Sequence, residues 1–217
     1  MSKFNFINSY ISVIALILLV SIDVKSEDIE LYVNYDIEVT EKPRVLIIFD
    51  TSGSMAWSVV DGDDCGRYSS GPYDGDYIPC SDSRIGVAQS AISGLVSSNP
   101  DIEFGLMRFK GSSGGYVLSG MGTSQANLLT DITNLRADGS TPLSETLWES
   151  YRYLSGKSMK YGDGVDDRDK SIDDGDTYTS AFVPEVVDGK TVLRCDNSIN
   201  IILMSDGDPT RDTARNS

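Results

Sequence analysis

Arg44 to Met55 reads RVLIIFDTSGSM, and no other stretch constrains the fold as strongly. Val45 to Phe49 is an unbroken apolar run of β-branched and bulky residues. Such a run suits a strand buried on both faces, as in the centre of a parallel sheet. It stops at Asp50, and Thr51, Ser52, Gly53 and Ser54 follow. The strand therefore delivers one carboxylate and two hydroxyls, at alternate positions, into a tight loop at its carboxyl end. In open α/β sheets that is where ligands bind. Small oxygen ligands on one turn favour a hard divalent cation such as Mg²⁺. On its own, the DxSxS run reads equally well as a strand followed by a polar turn, with Asp50 capping a helix.

Two later stretches repeat the theme. Ser198 to Met204 (SINIILM) predicts another buried strand, and Ser205, Asp206, Gly207, Asp208, Pro209 and Thr210 follow it. A second carboxylate thus stands at the carboxyl end of a second apolar strand. Asp208 reads as a turn or rim residue. Ala137 to Glu145 (ADGSTPLSE) leads into a helix with Pro142 suited to its first position. Leu143, Leu147, Tyr151 and Leu154 are expected on its inward face. Thr141 stands just before Pro142, where it is either a helix N-cap or a hydroxyl ligand to the same cation.

The remaining elements fill out an α/β pattern. Asp28 to Thr40 suggests one or two short lead-in strands before the turn at Glu41 to Pro43. Asp82 or Ser83 caps a helix to about Ser98. Its expected inward face is Ile85, Ala88, Ile92 and Leu95, widened by Val87, Ala91 and Val96. Ile102 to Phe109 is the next strand, and Tyr116 to Leu118 a short strand pairing antiparallel with it at the sheet edge. Gln125 to Leu135 reads as a helix with Leu128, Leu129, Ile132 and Leu135 inward.

The 217 residues suffice for one α/β domain with a sizeable core. The net charge of -15 argues against nucleic acid or anionic membrane surfaces as partners. The absence of histidine excludes His-based triads and His-ligated zinc within this chain. Met1 to Ser26 reads as a secretory signal, with Lys3, an apolar core at Ile11 to Val20, and small residues at Val24 and Ser26. That core is short for a membrane span of ~20 residues, so cleavage near Glu27 is expected, with no span left afterwards.

Export places Cys65, Cys80 and Cys195 in an oxidising compartment. Cys65 and Cys80 flank a Gly/Tyr/Asp-rich segment, and a disulfide between them is the preferred pairing. Closing a loop of that size is worth roughly 3 kcal/mol in the chain-entropy model. Cys195 is then left over, and its pairing with Cys65 or Cys80 stays open. Two insertions are expected, at about 56–81 and 156–197. The first holds Asp61, Asp63, Asp64, Asp74 and Asp76, and the second holds Asp163 to Asp176. Both have the composition of Ca²⁺ loops but not the EF-hand spacing, and solvated acidic loops are the favoured reading.

DTSGSM after a hydrophobic strand resembles the metal-ion-dependent adhesion site of von Willebrand factor A (VWA) domains. GSTP and MSDGDPT resemble the second and third loops of that site. The resemblance implies a Rossmann-like, doubly wound, mostly parallel sheet with flanking helices over residues 44–217. It also implies that Asp50, Ser52, Ser54 and Thr141 ligate Mg²⁺ or Mn²⁺, with Asp206 completing the site through water. The family sheet continues past its third loop, which implies an interrupted chain here or an edge supplied from elsewhere. More narrowly, Ser140 to Asp212 together with the first loop resembles the N-terminal A domain of PilY/PilC-type proteins, adhesins at the tip of bacterial type IV pili.

The expectation is a divalent-cation-dependent adhesion or protein-binding domain, exported to the periplasm, pilus tip or cell surface. Its partner is a protein offering an Asp or Glu carboxylate, or a pilin-like subunit. The alternative is a secreted scaffold or assembly factor in which the metal is only structural. An enzyme is disfavoured: the chain has no phosphate-binding GxxxxGK[ST] loop, and Ser52 and Ser54 have no suitable general base.

Overall fold

A computed structural model describes residues 42–182 and 198–207, together with the backbone of 185–187 and 190–192. In chain order the elements begin with strand β1 (Arg44–Phe49), a 3-10 turn at Gly53–Ala56 and helix α1 (Arg84–Ser98). Strands β2 (Glu103–Phe109) and β3 (Gly115–Ser119) and helices α2 (Gln125–Asn134) and α3 (Leu143–Leu154) follow. Two short hairpins come next, β4 (Asp173–Asp174) with β5 (Thr177–Tyr178) and β6 (Glu185–Val187) with β7 (Lys190–Val192), before β8 (Ile199–Met204). The expected signal at 1–26, the lead-in strands up to Glu41, Cys195 and Asp208 lie outside the described residues.

The main sheet has the order β3-β2-β1-β8. β1 runs parallel to β2 on one side and to β8 on the other. β3 is antiparallel to β2 and forms the edge. This is a mixed α/β arrangement, compatible with a Rossmann-like fold. β1 explains the architecture from its own sequence. Its side chains alternate between two apolar layers. Ile47 and Phe49 pack with Ile85, Ile92, Leu128 and Ile132 of α1 and α2. Leu46 and Ile48 pack with Tyr153 and Leu154 of α3. These four of the six β1 side chains are fully buried, and each contributes roughly 1.5–3 kcal/mol of transfer free energy.

Four sequence expectations need correction. In α1, Ile85, Ala88, Ile92 and Val96 are buried, but Val87, Ala91 and Leu95 are exposed. The buried stripe is narrower than the composition suggested. In α3 the inward face is largely polar. Glu145, Thr146, Glu149, Ser150, Tyr153 and Leu154 are buried, whereas Leu147 and Tyr151 face solvent. The helix begins at Leu143, so Pro142 occupies the N-cap position rather than the first helical one, and Thr141 precedes the cap. Polar burial is tolerable here because Glu149 is fully hydrogen-bonded. It accepts from the backbone N–H groups of Lys160, Tyr161 and Gly162 and from the Tyr178 hydroxyl at 2.6 Å.

β8 is the fourth correction. Its apolar run predicts burial, yet Ile201, Ile202 and Leu203 are between 37% and 43% exposed. Among the described residues β8 pairs only with β1, so its sequence is that of a central strand in an edge position.

Candidate metal centre

The carboxyl ends of β1 and β8 lie side by side, in register from Arg44 with Ile199 to Phe49 with Met204. The loops that follow them therefore emerge together. The Asp50 backbone N–H donates to the Met204 carbonyl at 2.9 Å and continues the ladder by one residue. Asp50 is fully buried. Its Oδ1 accepts from the Ser52 backbone N–H at 2.7 Å, and its Oδ2 accepts from the Ser205 hydroxyl at 2.7 Å. A buried carboxylate with one donor on each oxygen is held at a fixed orientation and keeps lone pairs in reserve.

The hydroxyls extend outward from this anchor. Ser52 Oγ and Ser54 Oγ are 3.1 Å apart, and Ser54 Oγ donates to Asp206 Oδ1 at 2.9 Å. Asp206 thus reaches the first loop through Ser54. Its other oxygen, Oδ2, is ion-paired with Arg84, the first residue of α1. Sequence reasoning foresaw neither Ser205 nor Arg84. Ser205 was legible as a hydroxyl flanking Asp206 in MSDG, whereas Arg84 carries no local motif and is found only through the packing of α1.

The second loop joins by its backbone. Gly53 N–H donates to the Gly139 carbonyl at 3.0 Å, and Asp138 N–H donates to the Thr51 carbonyl at 2.6 Å. The Thr51 hydroxyl reaches back to the Phe109 carbonyl of β2 at 3.3 Å. Thr141 lies two residues beyond Gly139 and is 5% exposed. The conformation of this loop depends on glycine. Gly139 has φ of 78°, and a Cβ there would stand 2.3 Å from the Gly111 carbonyl oxygen. The five predicted residues therefore sit on three loops that are bonded to one another: Asp50, Ser52 and Ser54 on the first, Thr141 on the second and Asp206 on the third.

Their chemistry suits a hard cation. Every side chain offers oxygen, two as carboxylates and three as hydroxyls, and none offers sulfur or nitrogen. Among the described residues one other cluster of metal-type donors exists, Cys65, Cys80 and Asp82. Its sulfurs are joined in a disulfide across 15 residues and are not thiolate ligands.

The acidic insertions use their carboxylates locally. Asp61 Oδ1 accepts from Asp63 N–H, and Asp64 Oδ1 accepts from Gly66 N–H. The Asp63 amide is the main reason the exposed Asp61 carboxyl is held below its usual range. In the second insertion Asp173 forms a two-pronged pair with Arg168, Asp167 accepts from the Tyr116 hydroxyl, and Asp169 accepts from Gly120 N–H. These bonds fasten the insertion to β3 and to itself. In the first insertion the segment from Trp57 to Ser83 holds together through isolated bridges and the Cys65–Cys80 link.

No protein-family model matches the chain, and no curated protein sequence matches it. Among solved structures, a point mutant of the PilB minor pilin from Streptococcus sanguinis is similar at 22% identity, over 53% of this chain and 26% of that one, with a TM-score of 0.38. The unmutated PilB minor pilin gives 21% identity over 49% of this chain and 25% of that one, with a TM-score of 0.34. An uncharacterized membrane spanning protein from Vibrio fischeri gives 18% identity over 50% and 47%, with a TM-score of 0.36. The chain spans less than half of each of these proteins. Overlaps this partial leave the site to be read from the chain's own residues. Among the described residues no helix is long and apolar enough to cross a membrane.

Proposed function

We propose that the carboxyl edge of the sheet is a metal-ion-dependent adhesion site of the von Willebrand factor A type. On this reading the chain is an exported, divalent-cation-dependent protein-binding domain, and its setting is type IV pilus adhesion or assembly. One observation carries the proposal. Two hydrogen-bonded links, Ser205 to Asp50 and Ser52 through Ser54 to Asp206, gather oxygens from two strand ends, and the Gly53–Gly139 bond brings the Thr141 loop to them.

Asp50, Ser52, Ser54 and Thr141 would hold Mg²⁺ or Mn²⁺, with Asp206 acting through water. The ion supplies an electrophilic position for a partner's Asp or Glu carboxylate. Hydroxyls matter here because they ligate without neutralising charge. The chain's net charge of -15 repels an acidic partner elsewhere on the surface, so carboxylate recognition would be confined to this point. The pilus setting is supported by the resemblance of Ser140 to Asp212 to the A domain of pilus tip adhesins, and a pilin-like subunit is the partner it suggests. The direct bonds between the loops favour a second reading, a scaffold in which the ion only stiffens them. We propose no catalytic role.

Surface plasmon resonance against purified pilin subunits separates the two readings. Binding that EDTA abolishes, that Mg²⁺ restores and that Asp50→Ala lacks supports adhesion through the ion. Binding that survives EDTA contradicts it and supports the scaffold.

A further inference from the structure

We infer that Arg84 is a built-in counter-ion of the proposed metal centre and sets its cation affinity through Asp206. The inference rests on the metal-site reading above and adds a residue that no site motif contains. Asp50 and Asp206 bring the negative charge to the cluster. Arg84 cancels the share carried by Asp206, pairing with Oδ2 while Ser54 occupies Oδ1. The Asp206 side chain is only 11% exposed and that of Arg84 is 34% exposed. The pair therefore lies at the margin of the site, where water screens it only in part.

Arg84 is not there by chance of a long side chain. Its backbone N–H donates to the Trp57 carbonyl at 2.9 Å, and its guanidinium carbon lies 5.6 Å from the Trp57 ring centroid. Val59 N–H donates to the Asp82 carbonyl at 2.8 Å, and Ser83 caps α1 by accepting from Gly86 N–H at 3.1 Å. The segment from Trp57 to Ser83 thus fixes where α1 begins and where its first side chain points. A cation entering beside Ser54 meets an Asp206 whose charge is already spent, so Arg84 and the cation compete for one carboxylate. The consequence is weaker intrinsic metal binding and a more electrophilic ion, one that depends more on the partner's carboxylate.

The test is calorimetric titration of the whole chain with MgCl₂ and MnCl₂, with thermal unfolding followed alongside. The series is wild type, Arg84→Gln, Arg84→Lys, Asp206→Asn and the Arg84→Gln/Asp206→Asn double variant. Arg84→Met, which keeps the apolar stem, replaces the glutamine variant if that does not fold. Removing the positive charge is expected to tighten cation binding roughly fivefold, the scale of one partly screened ion pair. Arg84→Lys is expected to stay near wild type, and Arg84→Gln is expected to change nothing once Asp206 is asparagine. Without metal, Arg84→Gln should melt earlier than wild type, and Mg²⁺ should raise its midpoint by more. Equal or weaker cation binding by Arg84→Gln, with wild type binding normally, overturns the role of Arg84 and leaves the metal site standing. No cation binding by wild type overturns both.

Discussion

Ser205 Oγ donates to Asp50 Oδ2 at 2.7 Å and ties the residue after β8 to the residue after β1. Asp50 is fully buried, so this oxygen has little access to solvent. Ser205→Ala removes the donor and leaves the carboxylate under-satisfied, at a cost of about 1–3 kcal/mol. Urea unfolding should show that loss in the absence of metal. Added Mg²⁺ should recover much of it, since a cation at the site supplies the missing positive partner.

Gly139 makes the second loop possible. Alanine there meets the Gly111 carbonyl at 2.3 Å and must also adopt φ of 78°. We expect Gly139→Ala to destabilise by more than about 1 kcal/mol and to weaken cation binding at least several-fold, because the Gly53–Gly139 bond holds Thr141 near the first loop. A control at Gly122, which also has positive φ but lies beside open space, should lose stability through backbone strain and keep wild-type cation affinity.

The candidate site was more legible in the sequence than parts of the core. Asp50, Ser52, Ser54 and Asp206 follow strands, and a parallel register carries strand ends to one edge whatever covers the sheet. Thr141 follows no strand, and only the resemblance of its Gly–Ser–Thr–Pro run to the second loop of the A-domain site points to it. The helix faces were harder to read. In α3 the apolar spacing puts Leu147 and Tyr151 inward with Leu143 and Leu154, but the buried face carries Glu149 and its hydrogen bonds, and Leu147 and Tyr151 are left in solvent. Those donors come from a segment 11 to 29 residues away, so no local periodicity encodes them. The exposure of Ile201 to Leu203 was hidden for a related reason: composition reports what a strand can bury, not which neighbour covers it.

Glu149 should therefore be among the most sensitive positions outside the site. It is fully buried and fastens residues 160–162 and Tyr178 to α3. Glu149→Ala strands several buried donors, and a loss of about 3–5 kcal/mol is expected. Hydrogen exchange should show the amides of Tyr161 and Gly162 exchanging much faster.

Tyr178 makes stability depend on alkaline pH. Burial first, and then the neighbouring Glu149 carboxylate, push its hydroxyl well above the ordinary tyrosine value. Burial pushes the Tyr116 and Tyr153 hydroxyls in the same direction. A raised folded-state value means the unfolded chain loses its proton first as pH rises. The stabilisation is complete below about pH 10 and falls above it. Chemical denaturation between pH 8 and pH 11, about the unfolded tyrosine value, should show that decline. Tyr178→Phe should flatten the slope while lowering stability at neutral pH by about 1 kcal/mol.

If three loops hold one divalent cation, Mn²⁺ titration followed by electron paramagnetic resonance reads its occupancy. The wild-type chain should take up one Mn²⁺ that Mg²⁺ displaces, and both Asp50→Ala and Thr141→Ala should lose it. Uptake unchanged by either substitution, or no uptake by the wild-type chain, would contradict such a site.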